Sequence, residues 1–199
     1  DIILDFNINH LSCYGLSIEP ETPFYDKKIK PAKDIIFLKM RQIIYDKLKE
    51  KNLRQYEVSN YAKEGFQGLH NLTYWRGFDY LGLGAGAHSR LMLDNNIYAL
   101  EGAKNPNEWL MSDFEINPSQ IITPLERAEE LLLLGLRTFE GINLDNFKSQ
   151  SKLGFFDVID KAKLHDLIEE GLLNYNNNNI APSKKGTVVA DYLANILLK

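Results

Sequence analysis

A histidine and two large aromatic residues stand close together in the stretch His-Asn-Leu-Thr-Tyr-Trp at residues 70–75. The imidazole of His70 can serve as an axial nitrogen ligand, and the rings of Tyr74 and Trp75 offer flat apolar faces. With Asn71 beside it, this set suits a large planar ligand such as haem. It equally suits an aromatic cluster at a helix start, in which His70 is a hydrogen-bonded structural residue. These residues alone leave both interpretations open.

A glycine-rich stretch follows at residues 80–89, Tyr-Leu-Gly-Leu-Gly-Ala-Gly-Ala-His-Ser. Its Gly82-x-Gly84-x-x-Ala87 matches a loose dinucleotide-binding pattern, but that pattern needs a helix after the glycines. Residues 88–93 predict a strand instead, so the context fails. Because glycine lacks a Cβ, this backbone either packs tightly in a sheet or lies against a flat or extended ligand.

The composition describes an ordinary globular chain of 199 residues, 44% hydrophobic and 25% charged. No apolar run approaches the roughly 18 residues of a membrane span, so a membrane contact would be peripheral. The net charge of −4 argues against a nucleic-acid partner. The single cysteine, Cys13, excludes an internal disulfide and a thiolate-held cluster built from this chain alone. We expect Cys13 to be buried and the setting to be cytoplasmic.

The elements that must position these residues follow from hydrophobic periodicity and turn residues. Residues 11–18 predict a short buried strand that ends at the turn of residues 19–23. A helix is predicted over residues 33–51, with Ile36, Met40, Ile43, Ile44 and Leu48 as its apolar stripe. Further predictions are a strand at 54–60, a hairpin of 80–93 with 96–101 through Asp94-Asn95-Asn96, and a short helix carrying Trp109.

The pattern changes at Thr123, where Thr123-Pro-Leu-Glu126 forms a capping-box signature. The helix that follows is predicted to carry Ala128, Leu132, Leu136 and Phe139 on one side and to stop at Gly141. A second helix is predicted at 160–170, a β-ribbon at 172–180 with Asn176–Asn179 at its tip, and a last helix at 183–198. This order predicts a winged-helix-like domain over residues 123–199.

A winged-helix shape suggests DNA binding, but the charges of residues 123–199 argue against it. This segment carries nine Lys and Arg residues against eleven Asp and Glu residues. A DNA-binding face needs a clear excess of basic residues for phosphate contacts. We therefore expect a packing or partner-docking module and no nucleic-acid partner.

Three stretches together resemble one family. HLSCYGLSIEPETPFY at 10–25, YEVSNYAKEGFQGLHNLTYW at 56–75 and YLGLGAGAHS at 80–89 are similar to the HemW-type proteins. These are radical S-adenosylmethionine (SAM) relatives of the oxygen-independent coproporphyrinogen III dehydrogenase. The end of the chain, with LHDLIEEGLL and KKGTVVADYLANILL, resembles their C-terminal helical domain.

The resemblance implies cofactors that this chain does not hold by itself. The family carries a four-iron, four-sulfur cluster on a CxxxCxxC motif, with SAM on the open iron, and that motif is missing here. The chain therefore resembles the C-terminal portion of such a protein, and we do not expect it to be catalytic alone. The family's turn usually reads EPGTP. Here Glu21 replaces the glycine, which puts the backbone of that corner in doubt.

The resemblance also implies roles for particular residues. It assigns haem binding to His70, Asn71, Tyr74 and Trp75, with His70 as the ligand of the haem iron. Backbone that lines the SAM pocket in the related dehydrogenase matches Ser17, Gly84, Gly86 and His88.

Two functions from different classes remain, besides a non-catalytic interaction module at 123–199. The first is a haem chaperone that passes haem to an acceptor protein. The second is oxygen-independent coproporphyrinogen III oxidation by the full-length protein. The expected fold is α+β: residues 1–122 form the edge of a partial (β/α) radical-SAM barrel extended by antiparallel strands, and residues 123–199 form the winged-helix-like domain. The oligomeric state does not follow from the sequence.

Overall fold

The computed structural model describes residues 2–112 and 120–198. Its contacts divide the chain into two compact units, Asp1–Gly68 and Leu69–Lys199. Within the described residues, no helix is long and apolar enough to cross a membrane.

The first unit contains one small antiparallel sheet and one long helix. Its elements are a 3-10 turn at Ile2–Asp5, β1 at His10–Ser12, α1 at Pro23–Asp26, α2 at Asp34–Glu50, β2 at Arg54–Gln55 and β3 at Asn60–Ala62. The strand order is β1-β3-β2, so β3 is central. Tyr61 on β3 is buried with Leu48 and Leu53, which together form the core of this unit.

Two predictions for the first unit are wrong in part. The strand expected at residues 11–18 is only β1, and residues 13–19 have no regular structure and are mostly exposed. The strand expected at 54–60 is instead a hairpin, in which β2 and β3 pair with each other through a turn. Both segments have apolar content that is typical of strands, but a strand forms only where a neighbour supplies hydrogen-bond partners.

The helix predicted at 33–51 is present as α2, but its apolar stripe is mostly not buried. Leu48 is 2% exposed, whereas Ile36, Met40 and Ile43 are 49%, 51% and 55% exposed. The periodicity that predicts a helix therefore does not show what covers its apolar face. Among the described residues, only the C-terminal end of α2 contributes to the core.

Glu21 keeps the backbone that glycine would adopt at this corner. Its φ is +62°, in the left-handed region that costs most non-glycine residues about 1–2 kcal/mol. Glu21 therefore occupies a conformation that glycine adopts without this cost.

The second unit begins with α3 at Leu69–Trp75, followed by a hairpin, a short helix and a third strand: β4 at His88–Leu93, β5 at Asn96–Glu101, α4 at Pro106–Met111 and β6 at Ile121–Ile122. The sheet order is β4-β5-β6, and every pair is antiparallel. Asp94 and Asn95 form a two-residue loop with φ of +48° and +63°. Both values fit the hairpin turn that Asp and Asn favour. The predicted hairpin is confirmed for residues 88–93 with 96–101, whereas residues 81–87 of its expected first strand are not in a strand.

The rest of the unit packs five helices and a small sheet around one core. The elements are α5 at Pro124–Gly135, β7 at Ile142–Asn143, α6 at Leu144–Ser151, α7 at Phe155–Val158, α8 at Lys161–Glu169, β8 at Leu173–Asn176, β9 at Asn179–Pro182, a 3-10 turn at Gly186–Val189 and α9 at Ala190–Leu197. β9 lies between β7 and β8. Leu132 and Leu136 near α5, with Leu193 and Leu197 on α9, are fully buried in this core.

The capping box predicted at Thr123 is present with both of its reciprocal hydrogen bonds. The end predicted for that helix is wrong, because α5 stops at Gly135 rather than near Gly141. Thr138 ends it: its Oγ1 donates to the Gly135 carbonyl at 3.0 Å and accepts from the Gly141 N–H at 3.0 Å. A side chain that bonds nearby backbone in this way competes with the helix.

The later elements mostly follow the prediction. α8 and the ribbon of β8 and β9 are present where expected, with Asn177 and Asn178 at the tip at φ of +48° and +61°. The last helix begins later than predicted, at Ala190 after a 3-10 turn. The sequence prediction missed α6 and α7.

Candidate functional site

The stretch His-Asn-Leu-Thr-Tyr-Trp forms α3, a helix of seven residues. Leu72 is buried, which fixes the inward face of the helix. His70 and Tyr74 are four residues apart and therefore lie on one face. The imidazole is exposed, and its ring meets the Tyr74 ring edge-on with the centroids 4.6 Å apart.

A row of three rings extends from His70 away from the helix. The Tyr74 ring also meets the Tyr80 ring edge-on, at 4.3 Å between centroids. Tyr80 is held beside β4 by two backbone hydrogen bonds with Arg90, at 2.8 and 3.0 Å. Burial raises the pKa of the Tyr80 phenol, so this hydroxyl stays neutral at physiological pH.

Trp75 and Asn71 have other surroundings. Both are partly buried. The Arg137 guanidinium lies over the Trp75 ring, with its Cζ 5.6 Å from the ring centroid. The Trp75 Nε1 atom is buried without a hydrogen-bond partner in the described part of the chain. The structure thus brings His70 and Tyr74 into contact and places Trp75 against Arg137.

An open cleft of about 290 Å³ lies next to this row of rings. Two aromatic and two aliphatic side chains form its apolar walls, and three arginines and one glutamate supply its charges. The lining residues are Tyr74, Gly77, Tyr80, Arg90, Arg127, Glu130, Leu133, Leu134 and Arg137. The charged lining groups therefore give an excess of two positive charges.

Glu130 binds two of the three arginines. Its carboxylate is 2.6 Å from Arg90 Nη2 and 3.1 Å from Arg127 Nη1. The hydrogen bonds that Arg90 donates to Glu130 raise the pKa of the Arg90 guanidinium. Arg127 is buried and also donates to the Gly77 carbonyl and, at 3.2 Å, to Gln150 Oε1.

Arg137 is the third arginine and is held more loosely. Its Nε is 2.7 Å from Asp191 on α9, and the two side chains are 36% and 63% exposed. An ion pair this exposed contributes about 0–1 kcal/mol. Arg137 is therefore oriented by Trp75 and Asp191 while remaining open to an incoming anion.

The positions assigned to SAM binding fall in both units. Ser17 is exposed in the first unit, after β1. In the second unit, the Gly86 N–H donates to the Ala103 carbonyl at 2.9 Å, and His88 opens β4 with its Nε2 4.0 Å from Glu101. Gly84 has a φ of +125°, and nothing lies within 4 Å of where its Cβ would be. SAM contact at these positions stays a prediction.

The described residues contain no group of three His, Cys, Asp or Glu side chains that could hold a metal ion. Cys13 is half-buried rather than fully buried, and burial raises the pKa of its thiol. A cluster of the family's kind needs three thiolates, and the sequence has one cysteine. The residues present do not fit that cofactor.

The sequence analysis missed the charged lining of the cleft. Arg90, Arg127, Glu130 and Arg137 are spread over 48 positions of the chain, and no local pattern joins them. One weak signal was available, since Arg127 falls on the apolar face of α5 next to Ala128 and Leu131. A charged residue at such a position is rarely buried without a partner.

Comparison with known proteins agrees with this architecture. Residues 122–189 match the model of the HemN C-terminal domain. The chain is 31% identical over 201 residues to the heme chaperone HemW of Buchnera aphidicola from Acyrthosiphon pisum, covering 100% of this chain and 52% of that protein. It is 28% identical to the heme chaperone HemW of Bacillus subtilis, covering 94% and 50%.

A solved structure has the same fold. The match is to coproporphyrinogen III oxidase (HemN) of Escherichia coli, described as a radical SAM enzyme. The TM-score is 0.67 at 16% identity, and the match covers 98% of this chain and 49% of that one.

These matches and the fold define a mixed α/β protein with antiparallel sheets that ends in a HemN-type C-terminal domain. The chain is similar in sequence to HemW proteins over its full length, and residues 122–189 are similar to the HemN C-terminal domain. It spans about half the length of the curated relatives it matches, which agrees with the expected C-terminal portion.

Proposed function

We propose that this chain is the haem-binding portion of a chaperone that transfers haem to an acceptor protein. The observation that carries the proposal is the exposed His70 imidazole, which lies against Tyr74 at the side of an aromatic-walled cleft. Imidazole nitrogen is an established axial ligand of haem iron. The similarity to HemW chaperones over the full chain supports the same function.

The exposure of His70 suits transfer rather than permanent storage. A haem held on one face by an exposed imidazole leaves the other face free for a ligand from the acceptor. The apolar walls exclude water from part of the ring, which favours binding without enclosing the ligand. On this proposal Asn71, Tyr74 and Trp75 line or support the haem site. The acceptor's identity does not follow from these residues.

The remaining assignments are also proposals. Residues 1–122 would extend a radical-SAM barrel in the full-length protein, with Ser17, Gly84, Gly86 and His88 near SAM. Residues 123–199 would form a winged-helix-like domain, which the family match from residue 122 supports. A cytoplasmic setting fits the single cysteine.

The second candidate function is oxygen-independent coproporphyrinogen III oxidation by the full-length protein, and the fold likeness to HemN favours it. The chain by itself lacks the cysteines for the cluster. Anaerobic decarboxylation of coproporphyrinogen by the full-length protein would establish this activity, and full haem transfer without decarboxylation would reject it.

The first experiment is a haem titration of the chain, followed by absorbance, beside His70→Ala. We expect saturable one-to-one binding with a shifted Soret band, and loss of the shift in the variant. The matched control is His165→Ala, since His165 is an exposed histidine on α8 of the same unit. An unchanged Soret shift in His70→Ala, or an equal loss in both variants, would contradict His70 as the ligand.

A further inference from the structure

We infer that the arginine-lined cleft binds the propionate carboxylates of a porphyrin, with Arg137 as the principal binding residue. The inference rests on the proposed function, because it assigns a binding site to the propionate edge of the same haem whose iron His70 is proposed to bind.

The size and walls of the cleft fit one edge of a porphyrin. At about 290 Å³, it lies near the lower limit of sites for drug-sized ligands. Tyr74, Tyr80, Leu133 and Leu134 supply apolar walls for ring atoms, and the arginines supply donors for carboxylates. Tyr74 contacts both His70 and Tyr80, so the metal ligand and the cleft share a wall.

The charges of the cleft fit an anionic ligand. Three arginines against one glutamate leave an excess of two positive charges among the lining residues. This excess is equal and opposite to two propionates once Asp191 is displaced from Arg137. Glu130 is already bonded to Arg90 and Arg127, so these two guanidinium groups supply a fixed positive field. A cleft with an excess of one sign of charge raises the local concentration of ions of the opposite sign.

Arg137 is the group best placed to bond the ligand directly. Its planar guanidinium can form two parallel hydrogen bonds with a carboxylate. The Arg137 Cζ lies over the Trp75 ring at 5.6 Å from the ring centroid, and this cation–π contact helps to orient the group. Its partner Asp191 is 63% exposed, so a ligand carboxylate can displace Asp191 while Asp191 returns to water.

The test compares a porphyrin with its ester. Protoporphyrin IX without metal and its dimethyl ester are titrated into the chain under the same detergent conditions, with porphyrin fluorescence as the readout. Loss of a charge-assisted hydrogen bond weakens binding by about tenfold or more. We therefore expect the diacid to bind at least about tenfold tighter than the diester.

Three variants sharpen the comparison. Arg137→Gln should weaken binding of the diacid about tenfold and leave binding of the diester unchanged. Asp191→Asn removes the competing carboxylate and should tighten binding of the diacid. If the ion pair between Arg137 and Asp191 were purely structural, this substitution would not tighten binding. Arg54→Gln, at an exposed arginine of the first unit, is the control and should change neither affinity. Thermal melts establish that each variant is folded.

The outcomes separate this inference from the proposed function. Equal affinity of the wild type for diacid and diester, with the His70-dependent Soret shift intact, overturns the carboxylate site alone. An equal loss of affinity for both porphyrins in Arg137→Gln also overturns the carboxylate site, because that result would make Arg137 a packing residue. If the chain binds the diacid selectively but His70→Ala does not change the Soret shift of haem, the carboxylate site stands and His70 is not the haem ligand. No binding of either porphyrin or haem overturns both.

Discussion

Replacing Arg127 by methionine is expected to destabilise the second unit more than the same change at Arg137. Arg127 is 3% exposed. It bonds the Gly77 carbonyl, Glu130 at 3.1 Å and Gln150 at 3.2 Å. Through these bonds α5 is tied to the loop after α3 and to α6. Methionine matches the length of the side chain and supplies none of the donors.

The magnitude follows from two opposing terms. Removing one partner of a buried ion pair costs about 3–5 kcal/mol. The Arg127 Nε is buried without a partner among the described residues, and its removal gives back about 1–3 kcal/mol. The balance is a loss of about 2 kcal/mol. Arg137→Met breaks an exposed ion pair and removes the cation over the Trp75 ring, and it should cost about 1 kcal/mol.

The assay is urea unfolding of the three proteins, followed by far-UV circular dichroism. With a dependence on urea of about 1–3 kcal/mol per molar, Arg127→Met should lower the transition midpoint by about 1 M, and Arg137→Met by a fraction of that. Equal shifts in the two variants would refute the argument that burial sets the energy of these arginines. A larger shift in Arg137→Met would refute it more strongly.

Two further predictions concern the backbone and pH. Gly141→Ala should destabilise by several kcal/mol in thermal melts, because its φ is +74° and a Cβ would lie 2.2 Å from the Ile180 carbonyl oxygen. Gly65→Ala, at φ +80° in open space, should cost only about 1–2 kcal/mol, and equal losses would contradict the steric argument. Hydrogen bonds from Thr123 lower the pKa of Glu126. Their stabilisation is present above the unfolded pKa of about 4.3 and is lost as pH falls through the lower folded value. Glu126→Gln should therefore reduce the loss of stability on acidification, and an unchanged pH profile would count against it.

Features set by neighbouring residues were predictable. The capping box of Thr123 and Glu126 forms because two side chains reach backbone groups three residues away. The turns at Asp94–Asn95 and Asn177–Asn178 form because Asp and Asn accept positive φ better than other non-glycine residues. Such interactions need little help from the rest of the molecule.

Features that depend on distant partners were predicted less well. The segment at 11–18 has the composition of a buried strand, yet only His10–Ser12 pairs, with β3. The α2 stripe predicts a helix correctly but leaves most of its apolar side chains exposed. Local composition determines what a segment can form, whereas burial depends on what other segments bring to it.

The candidate site shows the same division. The sequence by itself determined the spacing of His70 and Tyr74, and in a helix a spacing of four residues places both side chains on one face. Only the tertiary structure decided that Arg90 and Arg137 meet beside Tyr74 and that Trp75 lies under a guanidinium. A helical repeat is a property of consecutive residues. A charged cleft requires side chains from separate elements to be desolvated together, and only the packed chain provides that.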